Sequence, residues 1–301
     1  MTTPFSIVQY STSDDPTVRL GFATDDGVRI PPAAFREMSA LELMDAWESA
    51  AEDIAAVDPV GLTIVPDAVL TAPITFPRKV ICAGANYFSH AAEMGSDRPD
   101  PNGEPFFFLK APTTSIVGPD DAVVLDDPAH QLDWEAELGV VIGRRGKNID
   151  VDAAMEHVGG YVVVNDLSAR GLFHRPDAVD APFTFDWVLA KSRDGFCPIG
   201  PGIVPAWNIT DPHDLAIRLD VDGVVKQDSR TSDMVVRIPQ LIAAASRLFT
   251  LEPGDLILTG TPAGVGKPRG DFLAAGSTVT VSIEGVGSIS SRIVAPVLAA
   301  V

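Results

Sequence analysis

The chain has 301 residues, 46% of them hydrophobic and 21% charged, and 41 acidic against 22 basic side chains give a formal net charge of −19. That length suits one large core with a small extra domain, while the acidic balance excludes phosphate-backbone binding, which needs clustered Lys and Arg. Cys82 and Cys197 are too few for a disulfide framework or a thiolate zinc cluster, no apolar run reaches the ~20 residues of a membrane span, and the N-terminus lacks a basic-then-apolar leader, so the expectation is a soluble, cytoplasmic protein without membrane or nucleic-acid partners.

Residues 5–30 read as short strands, FSIVQY, VRLGFAT and GVRI, with a hairpin at Asp25-Asp26-Gly27. Residues 39–57 predict a helix: Leu41, Met44, Trp47 and Ile54 recur at near-helical spacing, and Ser39 with Glu42 makes a capping box. Pro59, Pro66, Pro73 and Pro77 punctuate the connection that follows. Residues 1–72 are therefore read as a small N-terminal α/β domain and 73–301 as the main domain.

The main domain opens with a strand at 79–83, then GANY leading into FSHAAEMG. His90 and Glu93 are three apart, neighbours on a helix face; the spacing fits a surface ion pair or a carboxylate-oriented general base. Residues 96–105, SDRPDPNGEP, have the composition of a mobile loop. Strands are expected at 106–110 and 122–125.

In LDWEAELGVVIGR, residues 132–144, Glu135 and Glu137 point to one face of an extended strand while Trp134, Ala136 and Leu138 point to the other. An isolated pair of this kind is either a solvated strand face or half of a cation site. The run GYVVV at 160–164, ending in Asn165-Asp166, brings a third carboxylate to a strand end. Three carboxylates without His or Cys suit Mg²⁺ or Mn²⁺ rather than zinc. Arg170, four residues on, fits a carboxylate clamp or a structural ion pair. Lys191, in LAKSRDGFCPIGP, has little regular structure around it and is a surface lysine or an oxyanion stabiliser.

Helices are expected at 151–158 and 238–248, and strands at 215–221, 255–259 and 278–283, with hairpin glycines at Gly223 and Gly285. The segment TGTPAGVG, 259–266, offers backbone N–H groups, that of Gly260 among them, and the Thr261 hydroxyl to an anion. It is not a nucleotide loop, because Thr261 stands where glycine is required and Pro268 follows Lys267. His130, His157, His174 and His213 have no partner spacing and are read as structural or surface residues. Short strands dominate without a regular βαβ alternation, which predicts a β-rich α+β fold.

Taken together, GANYFSHAAEMG, FFFLKAPTTSIVGP, LDWEAELGVVIGR, NDLSAR, LAKSRDGFCPIGP, DGVVKQDSRTSDM and LEPGDLILTGTPAGVG resemble the fumarylacetoacetate hydrolase family, in its order and over roughly residues 78–290. The resemblance implies a mixed β-sandwich-roll catalytic domain, a homodimer and bound Mg²⁺ or Mn²⁺. It implies Glu135, Glu137 and Asp166 as metal ligands, and His90 with Glu93 as a water-activating dyad on a segment that closes over the site. It further implies Lys191 as oxyanion stabiliser and Arg170 and Thr261 as substrate contacts. One stretch departs from the pattern: after NDLSAR many members carry an acidic residue and then a glutamine, where this chain has Gly171 and Phe173. An apolar ring there predicts an apolar acyl group in the substrate.

The expected reaction is hydrolysis of a C–C bond in a 2,4-dioxo acid of acylpyruvate type. The alternatives are oxaloacetate decarboxylation, hydration or isomerisation of an unsaturated 2-oxo diacid, and a non-catalytic metal- or ligand-binding role.

Overall fold

A computed structural model of the chain describes residues 3–296; residues 1–2 and 297–301, the outer ends of the two expected domains, lie outside the described residues. The N-terminal part runs through strands β1 (Ser6–Thr12), β2 (Asp15–Thr24) and β3 (Gly27–Arg29), helices α1 (Ala40–Asp45) and α2 (Trp47–Ala55), and strand β4 (Ala68–Thr71). Next come β5 (Val80–Gly84), α3 (Phe88–Glu93), β6 (Phe106–Lys110), β7 (Ile116–Val117), β8 (Val123–Val124), β9 (Leu132–Asp133) and β10 (Ala136–Ile142). They are followed by β11 (Val158–Asn165), β12 (Ser168–Ala169), α4 (Trp187–Lys191) and β13 (Cys197–Pro205). The chain closes with β14 (Ala216–Val221), β15 (Val224–Arg230), α5 (Ile238–Leu248), β16 (Leu256–Leu258), β17 (Thr278–Ile283) and β18 (Gly287–Val294). The fold is α+β and β-rich, as the short strands predict.

The large sheet runs β3-β2-β1-β13-β11-β10-β16-β5-β6, with β4 on β1 and β7 on β13; a second sheet runs β15-β14-β17-β18-β8. Alternation along the central strands feeds two cores. Leu138, Val140 and Ile142 of β10 face the second sheet and α5, whereas Val141 joins Val162, Val164 and Leu258 under Leu43, Met44 and Trp47 of the N-terminal helices. The large sheet also curls. Lys110 on its edge strand β6 reaches Asp166 just past β11, a strand four places away in the order. The roll so formed is lined by the same face that elsewhere packs on α1 and α2.

Three expectations change in detail. Residues 39–57 form two helices, although the Ser39–Glu42 capping box is present. Ala46 breaks them at φ −89° and ψ 1°, and Trp47 beyond the break lies over Gly143, where a Cβ would come within 2.5 Å of the indole, and stacks on Trp207. Residues Val151–His157 form a 3₁₀ segment, and Val158 already starts β11. The stretch after Lys191 becomes β13, a central strand between β1 and β11. Its Pro and Gly residues read as breakers; burial of Cys197, Ile199 and Ile203 and a register shift opposite β11 accommodate them.

The N-terminal residues do not build a separate sheet. β1 pairs with β13 at Ile7↔Ile203, and Phe5, Ile7 and Phe22 share a core with Val141 and Leu256. We expect Ile7→Ala, which empties a fully buried position, to cost about 2–5 kcal/mol, read as a lower urea midpoint in one transition for the whole chain. A separate early transition for the N-terminal residues would contradict the shared core.

Candidate metal centre

The centre forms where β10 and β11 run together. Trp134, Ala136 and Leu138 bury their side chains in one core, which sends Glu135 and Glu137 to the opposite face, into the roll. Glu135 sits in the short gap between β9 and β10. Its N–H donates to Asn165 Oδ1 at 3.0 Å and its carbonyl accepts from Asp166 N at 2.8 Å, so this gap and the end of β11 are pinned together. One oxygen each from Glu135, Glu137 and Asp166 lies within 4.8 Å of the others, and all three residues are buried.

Three cations balance this charge. The Lys191 ammonium donates to Glu135 Oε2 and Asp166 Oδ2, both at 2.7 Å. Lys110 donates to Asp166 Oδ1 at 2.6 Å and to the Leu167 carbonyl at 3.1 Å. Arg170 bridges Asp133 Oδ2 at 2.7 Å and Glu135 Oε1 at 2.6 Å. Burial would raise the pKa of Glu135, but the Lys191 and Arg170 charges outweigh it and hold the carboxyl down at about 2. Glu137 is different. Among the described residues its hydrogen-bond donor is the Gly260 N–H, at 2.7 Å. Burial first, then the Asp166 and Glu135 charges, push its pKa well above the usual carboxylate range.

An all-oxygen donor set that includes a buried carboxylate without its own cation fits a hard divalent ion, and the bridging ammonium of Lys191 shows where positive charge is stabilised. Glu135, Glu137 and Asp166 would hold that ion.

The dyad lies on α3. His90 Nδ1 is 2.8 Å from Glu93 Oε1, and the Gly264 N–H donates to both Glu93 oxygens at 3.1 and 3.0 Å. Burial raises the Glu93 pKa, but the His90 and Gly264 hydrogen bonds bring it below the usual value. The loop that holds Glu93 through Gly264 also holds Glu137 through the Gly260 N–H, so one stretch of main chain links the dyad to the cluster. Helix α3 is docked: Ser89 N donates to Asp233 Oδ2 at 3.0 Å, and Ser89 Oγ accepts from Ala263 N at 3.1 Å.

The 259–267 segment is placed differently from the sequence expectation of an open anion cradle. Four of its N–H groups are taken by the protein's own carboxylates: Gly260 by Glu137, Gly264 by Glu93, and Gly266 and Lys267 by Asp133, at 2.6 and 3.1 Å. The Thr261 hydroxyl accepts from Gln227 Nε2 at 2.8 Å, and Gln227 Oε1 accepts from Ala136 N. Arg170 likewise faces carboxylates of the chain. Phe173 is buried, with its ring edge-on to Trp187 at 5.0 Å between centroids.

Sequence reasoning overlooked Lys110, Asp133, Asn86 and Gln227. For Lys110 a signal existed: in FFFLK it shares the strand face of Phe106 and Phe108, and a lysine ending an aromatic face needs a partner. Asn86 donates to the Val236 and Thr259 carbonyls and accepts from Val236 N, contacts more than 140 residues away in sequence that no local pattern shows. His213 is also structural: its Nε2 accepts from Ile238 N at the start of α5.

A model of the fumarylacetoacetate (FAA) hydrolase C-terminal region matches residues 79–294. The mitochondrial oxaloacetate tautomerase fahd2 of Xenopus laevis is 40% identical over 296 residues, 96% of this chain and 90% of that protein. The fumarylacetoacetate hydrolase of Exiguobacterium antarcticum has a similar structure, with a TM-score of 0.81 and 33% identity over 97% of this chain and 100% of its own. Maleylpyruvate hydrolase from Sphingobium sp. SYK-6, in complex with manganese(II) and pyruvate, gives 0.77 and 30% over the same shares. No helix among the described residues is long and apolar enough to cross a membrane.

Lys110→Met leaves the buried Asp166 oxygen without its cation, and we expect a loss of about 3–5 kcal/mol, measured by urea unfolding in the presence of EDTA. A stability unchanged within error would show that the pair is not a structural requirement.

Proposed function

This chain belongs to the fumarylacetoacetate hydrolase family, and we propose that it is a divalent-metal-dependent hydrolase that cleaves the C3–C4 bond of a 2,4-dioxo acid. The observation that carries the reading is the His90–Glu93 pair, held by the Gly264 N–H of the same loop whose Gly260 N–H holds Glu137 of a buried three-carboxylate cluster. A divalent cation held by Glu135, Glu137 and Asp166 would supply Lewis acidity to the 2-oxo acid end of the substrate. Manganese(II) and pyruvate in the maleylpyruvate hydrolase complex support a divalent metal and a 2-oxo acid as ligands of a relative with this fold.

The protein's own groups do the rest. Glu93 holds Nδ1 of His90, which leaves Nε2 to take a proton from water as the water oxygen bonds to C4. Glu93 is itself held on both oxygens by one backbone N–H, so the imidazole is oriented before substrate arrives. Lys191 places a buried ammonium beside the reacting carbonyl, where negative charge develops on the C4 oxygen. As that oxygen re-forms its carbonyl, the C3–C4 bond breaks towards C3. C3 then takes up the proton, leaving a carboxylic acid and pyruvate.

A second reading is keto–enol tautomerisation of oxaloacetate, favoured by the 40% identity to fahd2 over nearly the whole chain. In it, His90 moves a C3 proton and no water is consumed. A steady-state screen of acylpyruvates and oxaloacetate separates the two readings.

EDTA is expected to abolish turnover and Mg²⁺ or Mn²⁺ to restore it, with Glu135→Ala losing metal affinity in calorimetry. Full activity in a metal-free preparation sinks the proposal. His90→Ala should lower hydrolysis by ~10²–10⁴ while metal affinity stays close to that of the wild type; an unchanged kcat would assign the base to another residue.

A further inference from the structure

We propose that the mouth of the roll carries an aromatic subsite for an apolar, preferably aryl, substituent at the far end of a 2-oxo acid. The proposal rests on the reading of the carboxylate cluster as a 2-oxo acid site and extends it to the rest of the ligand.

Register defines the path. The parallel ladder of β16 on β5 ends at Leu258↔Cys82; just beyond it Gly260 lies against Ala83 and Asn86, and Gly84 pairs directly with Phe106. Gly260 in turn touches the cluster through its N–H to Glu137. Between Glu137 and Phe106 lie Gly260 and Gly84, two positions that carry no side chain of their own. Gly260 does not tolerate one, since at φ +92° a Cβ would lie 2.8 Å from Asn86 Cβ, and a Cβ on Gly84 would lie 2.8 Å from the Phe106 ring and displace it. A cavity of about 260 Å³ beside the dyad helix borders Gly84, Ala91, Met94 and Phe106 on one side and Asp100 and Glu104 on the other, so it adjoins only the outer, Phe106 end of the aromatic wall.

The wall comes from two periodicities. Residues two apart on β6 share a face, so Phe106 and Phe108 line up with Lys110. Residues four apart on α4 share a face, so Trp187 stands over Lys191. Trp187 meets Phe106, Phe108 and Phe173 with ring centroids 5.1, 5.0 and 5.0 Å away. The wall begins at the cluster: the Lys191 ammonium is 5.2 Å from the Phe108 ring and the Arg170 guanidinium 5.8 Å from the Phe173 ring. It ends in solvent, where Phe106 is 52% exposed. An apolar group laid along these rings leaves water, whereas a second carboxylate there loses hydration against four aromatic side chains. The cations of the cluster, Lys191, Arg170 and Lys110, already pair with Asp133, Glu135 and Asp166.

The test is calorimetric binding to the Mg²⁺-loaded protein of two unreactive probes, 2-oxobutanoate and 2-oxo-4-phenylbutanoate. Burying the phenyl group should make the second at least about tenfold tighter, and Phe106→Ala and Trp187→Ala should each reduce that preference to within about threefold. Equal affinities in the wild type, or a preference unchanged in both variants, would overturn the subsite while leaving the 2-oxo acid reading intact. Failure of both probes to bind would overturn that reading and the subsite with it. Phe106 is half exposed, so its variant keeps the comparison interpretable if the Trp187 variant does not fold.

Discussion

Everything in this molecule turns on keeping several carboxylates buried in one place. Asp133, Glu135, Glu137 and Asp166 are 0–6% exposed, and in a low-dielectric interior such a group is tolerated only if positive charge and N–H donors surround it. Lys110 comes from the edge strand β6, Lys191 from α4 and Arg170 from the turn after β12, so three separate parts of the chain must be in place before the cluster is stable. The curl of the large sheet follows from that requirement as much as from apolar packing, since Lys110 can reach Asp166 only across the inside of the roll.

Backbone N–H groups complete the charge balance and tie the dyad to it. The Gly-rich 260–267 segment donates to Glu137, Glu93 and Asp133 in turn. It therefore connects the cluster, the His90–Glu93 pair and the Arg170 anchor through one stretch of main chain. Closeness is the reason for glycine here: a Cβ at Gly266 would meet the Asp271 carbonyl at 1.8 Å, and one at Gly264, with φ +114°, would meet the Lys226 carbonyl at 2.1 Å. This arrangement orients the imidazole through Glu93 by contacts within the protein alone.

The same sheet face changes character along its length. Val141, Val162 and Leu256 pack beneath the N-terminal helices, then Gly139 and Gly84 clear the surface, and Glu137 and Asp166 occupy it. Alternation with period two makes that possible, because Leu138, Val140, Ile142, Tyr161 and Val163 keep the other face of the same strands predominantly apolar. Stability and chemistry are thus divided between the two sides of β10 and β11, and the N-terminal strands join this sheet through β13 rather than standing apart.

Much of this was legible in the sequence. Period-two alternation fixed which way Glu135 and Glu137 point, the strand ending at Asn165 delivered Asp166, and the i, i+3 spacing joined His90 to Glu93; each is a local rule, and local rules survive folding. Helix α5 and β17 fall at their expected residues for the same reason. What the sequence could not supply was pairing across the chain. That Lys110 belongs to Asp166, that the glycine-loop N–H groups serve carboxylates of the protein, and that Arg170 faces Asp133 and Glu135 depend on sheet order and curl, which bring together residues tens to more than a hundred positions apart. Pro and Gly in β13 hid a central strand because their intrinsic preferences were overridden by burial on both sides. The residue types thus determined the available chemistry, and the tertiary structure alone decided which charges meet, because buried ions are stabilised by partners in space rather than by neighbours in sequence.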